Sequence, residues 1–323
     1  MITPADTNPA PTRRLITTTV ANNTQLCREH FRLTVVAGES ISAQPGQFVH
    51  LSPQRAAESN YRTFAGGWGE VHAEWVEEWR QPMLRRAFSI AGLRDRGATT
   101  ELDVIYRVVG AGTRWMAGLQ AGEEVSLLGP LGNAFPVSSN KRHAWLVAGG
   151  VGLPPMLWLA EALAGAQRQT VAFCGAQTKE LLPLALDDHE PPDRDASRAT
   201  LSTGEFARHG VPVVISTDDG TYGFRGHIGA ALSAFANDPS NAVSPEDLVV
   251  YTCGPERMMH FVAEYCVARG IECYVCMERA MACGTGTCQS CVVGLQTPAQ
   301  ADEWRYALCC TEGPVFRADS VLW

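Results

Sequence analysis

Residues 144–164 read AWLVAGGVGLPPMLWLAEALA, and they decide the fold of the central part of the chain. A short apolar run is followed by the closely spaced glycines Gly149, Gly150 and Gly152, and then by an apolar run that opens with two prolines. This order predicts a strand, a glycine turn and a helix, because the first helical turn tolerates proline. A nucleotide pyrophosphate could bind at the start of that helix, although many such turns use glycine only to turn.

The same alternation of strands and helices continues to about residue 270. The predicted strands are 144–147, 170–174, 211–215 and 248–252, with helices at 154–164 and from Pro255 to near Gly270. Such alternation is typical of a parallel sheet, whose strands all end at one edge. Gly254 follows the last strand and is therefore predicted to line the same nucleotide-binding crevice. Residues 217–220, TDDG, form either a plain turn or a further contact with the nucleotide.

The chain before residue 140 has short apolar runs rich in β-branched residues, separated by Gly and Pro turns. This spacing favours a small antiparallel barrel or sandwich. The predicted strands are 15–20, 31–36, 48–51, 87–91, 103–109 and 125–128. Residues 54–84 interrupt the pattern and carry Trp68, Trp75 and Trp79, the last two at helical spacing. This insertion is either a helix packed on the barrel or an element that covers a cofactor or docks a partner.

Cysteines are concentrated near the C-terminus, where nine of the eleven lie between Cys253 and Cys310. The sequence CGTGTCQSC at 283–291, followed by Cys310, gives C-x4-C-x2-C-x18-C, the spacing of plant-type [2Fe-2S] ferredoxins. Four thiolates must converge on two irons, and Gly284 and Gly286 allow the loop to bend around them and bring N–H groups near sulfur. The candidate ligands are Cys283, Cys288, Cys291 and one of the adjacent pair Cys309 and Cys310.

Structural zinc is the competing interpretation, because Cys273 and Cys276 form a C-x2-C pair eleven residues before the pair Cys288 and Cys291. That separation is shorter than the usual zinc-ribbon gap, and a zinc site would leave the glycine-rich loop without a role. The remaining cysteines are expected to be small buried hydrophobic residues: Cys27, Cys174, Cys253 and Cys266.

Three segments of the barrel region could hold a flavin dinucleotide. RAFSI at 86–90 offers an arginine for the pyrophosphate, a ring and a hydroxyl, while 110–113 and 129–133 are glycine-rich turns. Each segment alone is ordinary barrel structure. A nicotinamide, however, exchanges two electrons as a hydride, whereas an iron-sulfur cluster passes electrons singly, and a flavin is the usual converter. A nucleotide domain and a cluster in one chain therefore favour a flavin site in the barrel.

Composition and charge exclude other classes of function. A chain of 323 residues, 46% hydrophobic and 19% charged, allows two or three globular domains. The net charge of -8, without a dense Lys/Arg run, disfavours nucleic acid as a partner. Residues 1–15 lack an apolar core of signal-peptide length, and glycines and prolines break the apolar stretch 145–160, so a cytoplasmic protein without a membrane span is expected.

Taken together, these motifs resemble the ferredoxin-reductase-like electron-transfer subunits of NAD-linked dihydroorotate dehydrogenase. The resemblance spans 15–316 and rests on these motifs: PGQFV at 45–49, RAFSI at 86–90, YRVVGAGT at 106–113, GPLGNAF at 129–135, GGVG at 149–152, TDDGTYG at 217–223, CGP at 253–255, ERAMACGTGTCQSCV at 278–292 and CTEGPVF at 310–316. It implies a multidomain β plus α/β fold: an FAD-binding antiparallel β-barrel at 13–140, a parallel-sheet NAD-binding domain at 141–270 and a small [2Fe-2S] domain at 271–323.

The resemblance also implies the functional residues. FAD would bind Arg86, Phe88, Ser89, Ile90, Gly112 and Thr113. NAD would bind near Gly149, Gly150, Gly152 and Gly254. The cluster ligands would be Cys283, Cys288, Cys291 and Cys310, with Cys310 favoured over Cys309 by its place in the C-x-x-G-P-V-F ending. In such a system a partner subunit carries FMN and oxidises dihydroorotate, and electrons pass through the cluster and FAD to NAD.

Some features depart from the family pattern, chiefly the 54–84 insertion, Ala87 in place of the common Pro and Ala134 in place of the common Gly. One alternative is a reductase subunit of the same architecture that serves a ferredoxin, hydrogenase, sulfide or sulfite system. Another is a zinc-stabilised or redox-sensing binding module that is not an enzyme. The sequence does not decide whether the nucleotide is NAD or NADP, because no residue that contacts the ribose can be assigned without the fold.

Overall fold

The structure, a computed structural model, describes residues 13–53, 84–137, 140–187, 189–296 and 303–323. The predicted insertion at 54–84, with its three tryptophans, lies outside these ranges except for Leu84. Among the described residues, no helix is both long and apolar enough to cross a membrane.

Six antiparallel strands form the first part of the chain. They are β1 Arg14–Gln25, β2 His30–Ala37, β3 Phe48–Pro53, β4 Arg86–Asp95, β5 Thr100–Arg107 and β6 Glu124–Leu131. They close into a barrel in the order β1-β2-β5-β4-β3-β6. Side chains alternate between the two faces of a strand, so in β1 the residues Ile16, Thr18 and Val20 are buried while their neighbours are exposed. The predicted barrel is confirmed.

Parallel strands follow the barrel. They are β7 His143–Gly149, β8 Gln169–Ala176, β9 Val213–Thr217, β10 Phe224–Arg225, β11 Leu248–Cys253 and β12 Glu272–Cys276. The strand predicted at 211–215 begins two residues later, because Pro212 has no N–H to give to a sheet. The strands β7 and β11 lie side by side, which brings the turns that follow them together.

Three further strands complete the chain: β13 Val292–Gln296, β14 Trp304–Leu308 and β15 Val315–Arg317. The pair β13 and β14 forms a separate hairpin, whereas β15 joins β12, so the large sheet has the order β10-β9-β8-β7-β11-β12-β15. The C-terminal region therefore shares the parallel sheet through β12 and β15. The cysteine loop lies between β12 and β13.

Five helices lie in the described ranges: α1 Ala111–Ala117, α2 Leu153–Gly165, α3 Gly204–Ala207, α4 Ile228–Asn237 and α5 Glu256–Val267. Helix α2 is buried on nearly all sides, since it packs between the parallel sheet and β4 of the barrel. Helices α4 and α5 cover the opposite face of the sheet. Sequence analysis did not predict α1 or α4, each of which begins directly after a glycine-containing turn.

Candidate functional site

The cysteine loop bends sharply at its two glycines. Gly284 and Gly286 have φ angles of +70° and +90°, a region that residues with a Cβ rarely adopt. The Sγ atom of Cys283 accepts the backbone N–H groups of Thr285 and Cys288, both at 3.4 Å. The loop thus has the bend and the donors that its sequence predicts.

These contacts favour the anionic sulfur that a cluster needs. The N–H groups of Cys288 and Thr285 lower the pKa of the Cys283 thiol to about 6. Hydrogen bonding by Ser290 lowers the pKa of the exposed Cys288 thiol. In the described ranges, no three His, Cys, Asp or Glu side chains lie close enough together to hold a metal ion. The match to a cluster site therefore depends on the bend of the cysteine loop and on the N–H groups that reach Cys283. Both suit a [2Fe-2S] cluster.

The adjacent Cys310 and Cys309 are both buried and both lie near Cys291, but their other neighbours differ. Cys310 lies beside Cys291 and the backbone of Gly286. Cys309 is close to Cys276, and its N–H donates to the carbonyl oxygen of Cys291 at 3.0 Å. Burial raises the pKa of both thiols to about 12, so either sulfur would become a thiolate only with a positive charge such as iron beside it. Contact with the glycine loop favours Cys310.

The strand β12 argues against the zinc interpretation. Cys273 and Cys276 are three positions apart on this strand, so their side chains face opposite sides of the sheet. Cys273 packs against Cys266 on one side, and Cys276 packs against Cys253 on the other. The pair therefore cannot converge on one metal ion.

Four cysteines were predicted to be buried hydrophobic residues, and three of them are buried: Cys174, Cys253 and Cys266. The prediction for Cys27 is wrong. This residue is only partly buried, and its Sγ atom lies 3.3 Å from Nδ1 of His30. The contact exists because the turn before β2 brings the two side chains together.

In the barrel, Arg86 and Gly112 approach each other closely. A Cβ on Gly112 would lie 2.3 Å from Nε of Arg86, so glycine leaves room for the guanidinium. The Oγ1 atom of Thr113 accepts the N–H groups of Val109 at 2.9 Å and Gly110 at 3.1 Å, and so caps α1. The structure thus brings an arginine to the start of α1, while the Thr113 hydroxyl is hydrogen-bonded to the backbone.

The other predicted flavin residues lie on β4. Phe88 and Ser89 are half-buried, and the ring centroid of Phe88 is 6.0 Å from that of Tyr106 in an edge-on arrangement. Ile90 is fully buried inside the barrel, and its N–H donates to the carbonyl oxygen of Gln47 at 3.1 Å. Phe88 and Ser89 can therefore contact a ring system with their side chains, whereas the side chain of Ile90 serves the core.

A cavity of about 530 Å³ opens at the carboxyl edge of the parallel sheet. Its walls come from the barrel, from the ends of β7, β8 and β9, and from the starts of α4 and α5. The lining residues include His30, Arg107, Gly149, Gly150, Gly175, Gln177, Asp218, His227, Gly229 and Arg257. Its position and size suit a dinucleotide, and two of the four predicted glycines line it.

The other two predicted glycines, Gly152 and Gly254, hold the turns together instead. A Cβ on Gly152 would lie 2.1 Å from the carbonyl oxygen of Cys253. Gly254 has φ +145°, and a Cβ there would lie 2.8 Å from the carbonyl oxygen of Gly149. Glycine at these positions lets the turns after β7 and β11 pack backbone to backbone beside the cavity.

A family model and several known proteins are similar in sequence to this chain. The family model for the iron-sulfur cluster binding domain of dihydroorotate dehydrogenase B matches residues 278–322. The dihydroorotate dehydrogenase B (NAD(+)) electron transfer subunit of Bacillus caldolyticus is 31% identical over 308 residues, which cover 94% of this chain and 97% of that protein. The corresponding subunit of Desulforamulus reducens is 30% identical over 282 residues, with 87% of each chain covered.

The chain belongs to this family of electron transfer subunits. Solved structures share the fold of this dihydroorotate dehydrogenase B family member. The NADH-dependent reduced ferredoxin-NADP oxidoreductase superimposes with a TM-score of 0.69 at 21% identity, covering 95% of this chain and 90% of that one. A ferredoxin NADP+ reductase from Neisseria gonorrhoeae gives a TM-score of 0.53 at 16% identity, covering 83% and 93%.

In this member of the dihydroorotate dehydrogenase B family, the cavity is also lined by His30 and Arg107, which sequence analysis missed, and by Asp218, for which it left a nucleotide contact open. His30 is 2% exposed, and its Nε2 atom has no hydrogen-bond partner among the described residues. Arg107 donates to Glu29 at 2.7 Å. Asp218 follows β9. Arg107 and Asp218 stand inside quoted motifs, whereas no sequence signal marks His30, which reaches the cavity only because the barrel packs against the parallel sheet.

Proposed function

We propose that this chain is the electron transfer subunit of an NAD-linked dihydroorotate dehydrogenase. It passes electrons between NAD and an FMN-containing partner subunit, which oxidises dihydroorotate for pyrimidine biosynthesis, through a [2Fe-2S] cluster and FAD. The observation that supports this most is the contact between Gly284 of the cysteine loop and His50 of β3. Since β3 pairs with β4, the cluster loop contacts the strand next to the predicted flavin strand.

The cysteine loop would hold the cluster. The ligands are Cys283, Cys288, Cys291 and Cys310, and their support is the loop bend, the N–H groups on Cys283 and the place of Cys310 beside Cys291. Cys288 is exposed, so one edge of the cluster would face away from the rest of the chain. A partner subunit can then approach that edge.

The predicted flavin residues lie on the barrel, and the predicted nucleotide residues lie at the carboxyl edge of the parallel sheet. Arg86 would bind the FAD pyrophosphate beside Gly112, with Phe88 and Ser89 at the ring, and Ile90 and Thr113 would contribute backbone groups. NAD would occupy the cavity at Gly149 and Gly150, with Gly152 and Gly254 shaping its turns. When bound, FAD exchanges a hydride with nicotinamide and single electrons with an iron-sulfur cluster. The chain would thus be an NAD(P)-dependent flavin and iron-sulfur oxidoreductase subunit.

We assign FAD binding to 13–140, NAD binding to 141–270 and cluster binding to 271–323. Asn133 connects the first region to the third. Its side chain donates to the Val315 carbonyl oxygen at 2.8 Å and accepts the Val315 N–H at 2.9 Å. These bonds hold the cluster region at a fixed place against the barrel. Fixed spacing matters since electron transfer slows steeply with distance.

The face for the FMN subunit is proposed around Cys288 and the β13–β14 hairpin. Trp304 and Tyr306 of β14 are 54% and 66% exposed, and their ring centroids are 4.9 Å apart. Exposed aromatic pairs are common at the centres of protein interfaces. We place the chain in the cytoplasm, and its eleven free cysteines support a reducing compartment.

Replacing Cys288 by serine tests the order of the carriers. Cys288→Ser should abolish dihydroorotate-dependent reduction of NAD when the FMN subunit is added, because the cluster is lost. NADH should still bleach the flavin absorption of the variant, since the cavity and the barrel are untouched. Stopped-flow absorbance follows the flavin, and a coupled assay follows the complete reaction.

Cys309→Ser is the matched control, because Cys309 is a buried neighbour outside the proposed ligand set, and it should keep both activities. Equal loss of both activities in Cys288→Ser contradicts the proposed order. If the wild-type chain transfers hydride but gives no NAD reduction with the dihydroorotate-oxidising subunit, its partner belongs to another NAD(P)H-dependent system.

A further inference from the structure

His50 lies on β3 and points out of the barrel toward the C-terminal region. Side chains alternate along a strand, and Val49 and Leu51 fill the barrel core. Phe48 and His50 therefore share the outer face, where their ring centroids are 5.8 Å apart. Phe48 belongs to the hydrophobic cluster that also contains Cys291 and other residues of the C-terminal region.

His50 is fully buried, yet both of its ring nitrogens have no hydrogen-bond partner in the part of the chain that the structure describes. Leaving a buried polar atom without a hydrogen-bond partner destabilises the folded state. Burial, with a smaller contribution from the nearby Arg85 charge, lowers the pKa of His50 to about 4, so the ring is neutral at pH 7 and carries one N–H. A neutral, buried N–H without a partner indicates that a bound group supplies the acceptor.

The ring lies directly against the cysteine loop. A Cβ placed on Gly284 would be 2.9 Å from both Cε1 and Nε2 of His50. Gly284 follows Cys283 and has φ +70°, so the backbone wraps past the imidazole with no side chain between them. The Nε2 edge therefore faces the loop that holds the proposed ligands.

We propose that His50 donates its Nε2–H to a sulfur of the iron-sulfur cluster and thereby raises the reduction potential of the cluster. The inference rests on the proposed function, since it requires the cluster in the 283–291 loop. Hydrogen bonds to cluster sulfur stabilise the more negative, reduced state and raise its potential. A neutral donor does this from the barrel side, where β3 pairs with the flavin strand β4. His50 would thus make the cluster easier to reduce.

An EPR-monitored redox titration of the complete chain, with FAD and cluster, tests this role. His50→Leu removes the donor and should lower the cluster midpoint by at least a tenfold change in equilibrium constant, roughly 59 mV for one electron. His50→Gln places an amide N–H near the Nε2 position and should restore most of the midpoint. His50→Asn, whose amide matches Nδ1 instead, should restore less. Phe48→Leu alters the same packing without changing a donor and should leave the midpoint near that of the wild type.

The inference is overturned if all variants keep the wild-type cluster midpoint, or if only the FAD midpoint moves, because the ring then packs passively or serves the flavin. If His50→Leu does not retain a cluster, pulsed EPR of the wild-type chain labelled with ¹⁵N-histidine tests whether a histidine nitrogen is coupled to the cluster. A ¹⁵N coupling that disappears in His50→Gln supports the donor, and its absence in the wild type overturns it. A wild-type chain that shows no cluster signal after reconstitution would overturn the proposed function itself, a distinct result.

Discussion

At the scale of single residues, we expect Asp218 to select the nicotinamide nucleotide. It lines the cavity just after β9, whereas its neighbour Asp219 accepts hydrogen bonds from the N–H of Thr221 at 3.0 Å and from its hydroxyl at 2.7 Å. A carboxylate in a dinucleotide site accepts from a ribose hydroxyl and repels a 2′-phosphate. The chain should therefore prefer NAD to NADP.

Asp218→Asn keeps the shape of the side chain and removes its charge, so the preference of kcat/KM for NADH over NADPH should fall about tenfold, or ~1.4 kcal/mol. Steady-state reduction of an artificial acceptor by each nucleotide measures the ratio. Asp219→Asn is the control and should leave the ratio unchanged. An unchanged ratio in Asp218→Asn would show that the residue does not read the ribose.

The cluster ligands could be proposed from the sequence because their spacing is local: a nine-residue loop contains three of the four proposed cysteines. His30 and His50 could not be predicted, because each lies at the boundary between the barrel and another region, which only the fold brings together. Ile90 shows the converse. It stands inside the flavin motif, yet its side chain faces the barrel core, and only the register of β4 decides that.

At the scale of elements, the turns after β7 and β11 depend on each other through Gly152. A Cβ at this position would meet the Cys253 carbonyl oxygen at 2.1 Å, so Gly152→Ala should lower the free energy of unfolding by about 2–3 kcal/mol. Gly165→Ala is the control, since no atom lies within 4 Å of its Cβ position and alanine favours the helix. Thermal unfolding compares the two. Equal stability would contradict the close packing of the turns.

The strands of the barrel and the βα units were predictable from the period of their apolar residues. The predicted ends differ from the observed ends by a few positions. Helix α4 and the pairing of β12 were not. The helix IGAALSAFAN was missed although its apolar residues Ile228, Leu232 and Phe235 recur at helical spacing, because the glycine turn directly before it indicates a loop. Strand β12 pairs in parallel with β11 and antiparallel with β15, a choice that depends on tertiary packing.

At the scale of the whole molecule, the structure brings the barrel, the parallel sheet and the C-terminal region into contact. The barrel meets the C-terminal region at Asn133, whose N–H donates to the Gly313 carbonyl oxygen at 2.6 Å, and at His50. The C-terminal region in turn extends the parallel sheet through β12 and β15. Sequence motifs predicted the three regions and their order, but not that the third would share the sheet of the second.

The measurement that tests the central claim most directly is an anaerobic titration of the reconstituted chain with NADH, followed by visible absorption. The account predicts that both the flavin bands and the broad sulfide-to-iron absorption bleach, with uptake of about three electrons per chain, two by FAD and one by the cluster. Bleaching of the flavin alone, or a colourless chain that retains zinc after reconstitution with FAD, iron and sulfide, would contradict it.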